Sequence, residues 1–223
     1  RIARGQVPVE VWPNAVDPRL FPLVDKNEAR SRVTPQWSPG DFVVGFVGSM
    51  HERHCLKELV LAAAQLVEQG FSIKLLLVGT GDGLESLKEL TARVLPPDAV
   101  LFTGFVPHNQ VVYYMAACDI LYGVVHPDRP SNPIKCYEYL AAGRPIITSK
   151  TKELAFVEER GFGFSLATLT PSSVAAAIQM FMSMDEQERL EMGRRGREYV
   201  LAHHTWDALA QRIVCVVEPR GQP

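Results

Sequence analysis

The stretch "SIKLLLVGTGDGLESLKELTARVL", Ser72 to Leu95, carries the reading that decides the fold. Its opening, "SIKLLLVG", is a continuous apolar run. A strand with one wet face would alternate apolar and polar residues. A continuous run is covered on both faces, as in parallel sheets packed between helices. Gly79, Gly81 and Gly83 follow at once, and then Leu84, Leu87, Leu90 and Val94 form a stripe at helical spacing. The segment therefore reads as a strand, a tight turn and an amphipathic helix.

The same unit recurs on both sides of it. Upstream, "DFVVGFVGSM" (Asp41–Met50) is a strand ending in Gly-Ser, and "CLKELVLAAAQLVEQG" (Cys55–Gly70) sets Leu56, Leu59, Val60, Ala63 and Val67 on one helical face. Gly70 is placed to close that helix. Downstream come the strand "AVLFTG", the helix "NQVVYYMAAC" and the strand "DILYGVV". A helix and a strand share "SNPIKCYEYLAAGRPIITS" (Ser131–Ser149), and the helix "KELAFVEERG" leads to a sixth short strand, "GFSLA". From Ser172 the chain reads as helices. Strands joined by single helices make right-handed crossovers. The expected fold class is thus α/β, a doubly wound parallel sheet of about six strands with helices on both faces. The chain divides into a linker and lead-in over 1–40, the sheet domain over 41–205, and a C-terminal helix and tail over 206–223.

Composition narrows the function. The 223 residues carry a net charge of −2, whereas nucleic-acid binders concentrate basic charge to meet the phosphate backbone. The densest basic run, "RRGRE" at Arg194–Glu198, is interleaved with Glu188, Glu191 and Glu198, and reads as a solvated helix face. The four cysteines are scattered, without disulfide-framework or zinc spacing, which suits a reducing, cytoplasmic setting. No apolar stretch approaches the ~18 residues that span a bilayer. "HERHC" (His51–Cys55) invites a metal reading, but a site needs three or four convergent ligands and no partner pair stands elsewhere. No metal is expected.

Doubly wound sheets bind ligands beyond the carboxyl ends of their strands. The residues there are "GSMHERH" (Gly48–His54), "GTGDG" (Gly79–Gly83), "GFVP" (Gly104–Pro107) and "HPDRPSNPIK" (His126–Lys135). Two of these turns are glycine-rich and lead into helices, which suits an anion, usually phosphate. In "SNPIKCYEYLAAG", Ser131 or Asn132 can cap and Pro133 fits the first helical position. Lys135 then lies in the first turn, where a cation opposes the helix dipole. A bound diphosphate removes that conflict, and Glu138 could accept hydrogen bonds from a sugar's paired hydroxyls. The alternative is a plain Lys135–Glu138 ion pair on a wet face. A hydride-transferring dinucleotide protein would show an acidic residue about 20 residues past the glycines; Val100 and Leu101 stand there.

In order along the chain, "VPVEVWPNAVDPRLF", "GFVGSMHERHCLKEL", "LLLVGTGDGLESLKEL", "VLFTGFVPHNQVVYYMAACDIL", "NPIKCYEYLAAGRPIITS" and "HTWDALAQRI" resemble successive elements of the family-four (group 1) glycosyltransferases. The resemblance covers nearly the whole chain. It implies the C-terminal, donor-binding half of the two-domain fold called GT-B, with the acceptor held mainly by an upstream domain. The function implied is transfer of a sugar, with retention, from a nucleoside-diphosphate sugar to an acceptor hydroxyl of a saccharide, lipid or small molecule. No metal ion is implied, and the implied location is the cytoplasm, with membrane association through the other half.

The resemblance also assigns roles. Gly48 and Ser49 would offer backbone N–H groups to the diphosphate, with the Gly79 and Gly81 turn beside them. His54 stands where most members have a phosphate-binding Lys. Phe105 and Val106 would hold the base by main-chain groups, and Glu138 the ribose. Ser131, Asn132, Pro133 and Ile134 would present helix amides to the distal phosphate. His54, Arg129 and Lys135 would supply the positive charge that the departing diphosphate needs. Three departures stand out: Pro130 replaces the first Glu of the family's carboxylate pair, Ser49 a common Arg, and Cys55 the usual Gly. Two rival functions share the crevice, a nucleotide-sugar epimerase and a non-catalytic domain that docks a partner.

Overall fold

The computed structural model describes residues 12–34, 36–126 and 132–217. Its strands are β1 (Phe42–Val47), β2 (Ile73–Val78), β3 (Val100–Gly104), β4 (Ile120–Tyr122), β5 (Ile146–Ser149) and β6 (Gly163–Leu166). They form one sheet of order β3-β2-β1-β4-β5-β6, parallel at every pairing. This is the doubly wound, Rossmann-like order, whose direction reverses between β1 and β4. The helices are α1 (Lys26–Val33), α2 (Leu56–Glu68), α3 (Leu84–Val94), α4 (Val111–Ala116), α5 (Ile134–Ala141), α6 (Ala155–Glu159), α7 (Pro171–Ser183), α8 (Glu186–His203) and α9 (Trp206–Val217). Among the described residues, no helix is long and apolar enough to cross a membrane.

The continuous apolar strands behave as their composition requires. Val44, Phe46, Leu75, Leu77, Ile120 and Tyr122 face one core with α2, α3 and α7. Their neighbours Val43, Leu76, Val78 and Leu121 face a second core with α4, α5 and α8. Each fully buried aliphatic side chain contributes about 1.5–3 kcal/mol, so covering only one face would forfeit half of the sheet's stabilisation. Capping fixes the later helices. Thr170 and Ser173 form a capping box at α7, with Pro171 in the first turn, and Asp185 and Glu188 form another at α8.

Three sequence expectations change. The lead-in over 1–40 is, from residue 12, packed onto the domain: Ala15, Val16 and Phe21 are buried, and Val16 bonds through its backbone to His204 and Trp206. It also contains α1, which has no apolar stripe to betray it. Strand β4 is shorter than its apolar run, because beyond Gly123 the ladder gives way to Ser149, whose hydroxyl bonds the Val125 N–H (2.9 Å) and C=O (2.5 Å). Helix α5 begins at Ile134 with Pro133 as its N-cap residue and no side-chain cap, so Asn132 does not cap it. Ser131, Arg129 and Pro130 lie outside the described residues.

Helix α1 locks the amino end of the sheet. Asp119, just before β4, is 5% exposed and accepts from Arg30 Nη2 (2.7 Å), Lys26 Nζ (3.1 Å) and the Val43 N–H (2.8 Å), with Arg189 at 3.9 Å. Arg30 also donates to the carbonyls of Ala117 (2.9 Å) and Pro39 (2.8 Å). A buried carboxylate held this fully ties α1, β1, β4 and α8 to one point.

Candidate functional site

Doubly wound sheets bind ligands where the sheet order reverses, here between the turn after β1 (Gly48–Cys55) and the segment leading into α5. Lys135 is the central group of this crevice. The side chain turns inward from the first turn of α5, and its ammonium sits 4.3 Å from the centre of the Phe46 ring. A methyl group added at Gly48 would stand 3.1 Å from Nζ, so the cation lies directly under the turn. Lys135 is 9% exposed, and its Nζ has no hydrogen-bond partner. Burial pushes its pKa down to about 7, and the charge of Arg53 adds to the effect. The alternative reading, a surface ion pair with Glu138, does not form.

His54 stands on the other side of Phe46, with ring centres 5.6 Å apart. Burial, then the charges of Lys135 and Arg53, hold its pKa at about 3, so it is neutral. What it offers is a neutral imidazole whose Nδ1 lacks a partner, while Arg53 Nε approaches Nε2 at 3.4 Å. Cys55, where the family has Gly, takes the left-handed conformation (φ 53°). That costs a non-glycine residue about 1–2 kcal/mol. Its side chain is buried, its thiol is pushed up to about 12 by that burial, and its carbonyl accepts from Tyr122 (3.1 Å).

The glycine turns do less for an anion directly than expected. The Gly48 N–H already donates to Val78 (3.0 Å) and the Gly79 N–H to Gly104 (2.9 Å). Gly79 adopts φ 124°, and any Cβ there would lie 2.1 Å from the Gly48 carbonyl oxygen; a Cβ on Gly81 would lie 2.5 Å from that of Met50. The second turn is thus a seat for the first. Met50 N–H donates to Thr80 (2.8 Å), Gly83 N–H to Met50 (2.9 Å), and His51 pairs with Asp82 (2.5 Å). Ser49 is exposed at the tip, on the crevice side of this support.

Across the crevice, Ile134 is 42% exposed at the open start of α5, where the first N–H groups of any helix have no intrahelical acceptor. Asn14 donates to the Asn132 carbonyl. Glu138, one turn further, faces the loop after β3, and its Oε1 lies 3.3 Å from His108 Nε2. In that loop Phe105 is 78% exposed, while Val106 packs inward. The contacts shown join Lys135 to Gly48 and Phe46, His54 to Phe46, and Glu138 to His108, while Ser49, Ile134 and Phe105 are exposed on the segments beside them. Phe46, Arg53 and His108 were missed by sequence reasoning. Phe46 reads as plain core, and the other two gain their partners only through folding. Among the described residues, no three His, Cys, Asp or Glu side chains converge to hold a metal ion.

The strand order and the helices on both faces define a Rossmann-like α/β domain. The chain belongs to the glycosyl transferases group 1 family, whose model matches residues 27–199. It is 27% identical over 184 residues to the 2-deoxystreptamine glucosyltransferase of Streptomyces kanamyceticus, covering 80% of this chain and 44% of that enzyme. Among solved structures it resembles the sucrose-phosphate synthase of Thermosynechococcus elongatus, with a TM-score of 0.77 and 25% identity over 92% of this chain and 50% of that one. Anabaena HepE, solved in complex with UDP and glucose, superimposes with a TM-score of 0.75 and 20% identity, over 92% of this chain and 55% of that one. The chain thus spans about half the length of these relatives.

Proposed function

We propose that this chain binds the nucleoside-diphosphate sugar of a glycosyltransferase that retains configuration, and that an acceptor-binding domain completes the enzyme. The observation that carries the reading is Lys135, a buried cation without a partner in the crevice of a parallel sheet. An isolated buried charge is costly, and a diphosphate seated between the Gly48–Ser49 turn and the start of α5 supplies the missing partner. When the sugar–oxygen bond breaks, charge develops on the diphosphate. Lys135, the dipole of α5 and the neutral imidazole of His54 are fixed in advance to stabilise it, with Arg129 and the Ser131 amide as further donors. Asn132 and Pro133 shape the approach to those amides, and Gly79 and Gly81 hold the opposite turn in place. The base lies along Phe105 and Val106 and the ribose against Glu138. The UDP held by HepE and the glucosyltransferase relative support a nucleotide-sugar donor.

Two results are expected. Glu138→Ala should weaken nucleoside-diphosphate binding by about 1.5–3 kcal/mol, the range for hydrogen bonds to a charged group. Calorimetric titration reads this directly, and unchanged affinity would remove Glu138 from the site. The chain alone should bind donor without transferring its sugar. In the proposed division, 41–205 forms one wall of the cleft, 1–40 links it to the acceptor domain, and α9 reaches back towards that domain. A turnover assay with matched donor decides this, because transfer by this chain alone would place the acceptor site within these residues. The same titration separates the enzyme reading from a docking domain that has lost its ligand.

A further inference from the structure

We propose that His108 is a positioning residue for donor recognition, holding the Glu138 carboxylate in the orientation that receives the ribose hydroxyls. The inference rests on the proposed role of Glu138 and extends it to a residue on a different element. Glu138 belongs to α5 and His108 to the short turn after β3, yet His108 Nε2 lies 3.3 Å from Glu138 Oε1. The geometry is one-sided: among the described residues Oε1 alone is engaged, which leaves Oε2 for a ligand. An unrestrained Glu gives up side-chain freedom when it is fixed. A carboxylate already tethered gives up less on binding, so affinity rises without a new contact to the ligand.

His108 is itself held. Its ring stands edge-on to the buried ring of Phe21, with centres 6.0 Å apart and planes at 83°. Pro107 starts its turn, and the Gln110 N–H closes it on the Pro107 carbonyl (2.8 Å). The same turn continues directly from Phe105 and Val106. One rigid segment therefore sets both the loop proposed for the base and the carboxylate proposed for the ribose. His108 Nε2 donates to Glu138 Oε1 when the ring carries its proton on that nitrogen. The side chain is 57% exposed, which keeps the expected effect modest and leaves the core untouched by substitution.

The test is a double-mutant cycle read by calorimetry. His108→Ala, Glu138→Ala and the double variant are titrated with whichever of UDP and GDP binds more tightly, and with its 2′,3′-dideoxy analogue. His108→Ala should weaken the ribonucleotide about 3- to 10-fold and the dideoxy analogue less than 2-fold. It should have no further effect once Glu138 is Ala, and His108→Gln, which keeps a donor, should recover most of the affinity. Equal losses on both nucleotides, or fold-losses that multiply in the double variant, would overturn the positioning role while leaving Glu138 in place. An unaffected Glu138→Ala variant would overturn both that role and the ribose assignment.

Discussion

Lys135→Met should make the unliganded chain more stable while it cripples nucleotide binding. Burial holds the Lys135 pKa near 7 instead of the usual 10.5. At about 1.4 kcal/mol per pKa unit, keeping this side chain inside the fold at pH 7 costs on the order of 4–5 kcal/mol. Met has similar length and no charge, and it keeps contact with Phe46. It forgoes a cation–π interaction of about 1 kcal/mol, leaving a net gain of about 3–4 kcal/mol. The pH dependence gives the sign a second check. Because the folded pKa lies below the unfolded one, the unfolded chain holds the extra proton between pH 7 and 10.5. The destabilisation is therefore fully present below about pH 7 and fades as the pH rises towards 10.5. Urea titrations should show this rise in the parent chain and a smaller one in the Met variant. Affinity for nucleoside diphosphate should fall about 10- to 150-fold, the equivalent of 1.5–3 kcal/mol. A Met variant that is less stable and binds normally would make Lys135 an ordinary core residue.

Asp119→Ala should have the opposite signature. Removing this carboxylate leaves Arg30 and Lys26 buried or half-buried without their shared partner, and the Val43 N–H without its side-chain acceptor. Breaking such a pair costs about 3–5 kcal/mol, a large share of the total stability of an ordinary domain. The urea midpoint should drop accordingly with an unchanged slope. Asp119 lies at the amino edge of the sheet, away from the crevice, so whatever fraction remains folded should bind nucleotide as before. A loss below 1 kcal/mol would mean that water already screens the network.

The contrast between these sites shows what the sequence made legible. The unbroken apolar runs of β1 and β2, with the leucine stripe of α3, announced the parallel sheet, and the sheet located the crevice. Burial on both faces leaves a direct trace in composition. Helix α1 left none, because only Ala29 and Arg30 are buried in it, and Arg30 is buried for an ion pair with a residue 89 positions away. The environment of Lys135 was equally hidden. Helical spacing placed Glu138 beside it, yet the ammonium turns under Gly48 and the carboxylate turns towards His108. Side chains one turn apart share a helix face, but tertiary neighbours decide which way each one bends. Position suggested a cation at His54, while burial lowers its pKa to about 3. Gly79 and Gly81 also serve the close approach of two turns, which composition alone does not reveal.

The central claim is that Lys135 waits uncompensated for a diphosphate, and proton uptake on binding tests it most directly. Calorimetric titrations with UDP and with GDP should be run at pH 8 in EDTA, in two buffers of different ionisation enthalpy. At that pH the phosphate's own proton, with a pKa of ~6, is already gone, and Lys135 is mostly neutral. A diphosphate beside it raises its pKa, so binding should draw in about one proton. That uptake should be absent in Lys135→Met. Metal-independent binding with this uptake is the result expected. Binding that needs a divalent metal, or that takes up no proton and is indifferent to Lys135→Met, would contradict the account.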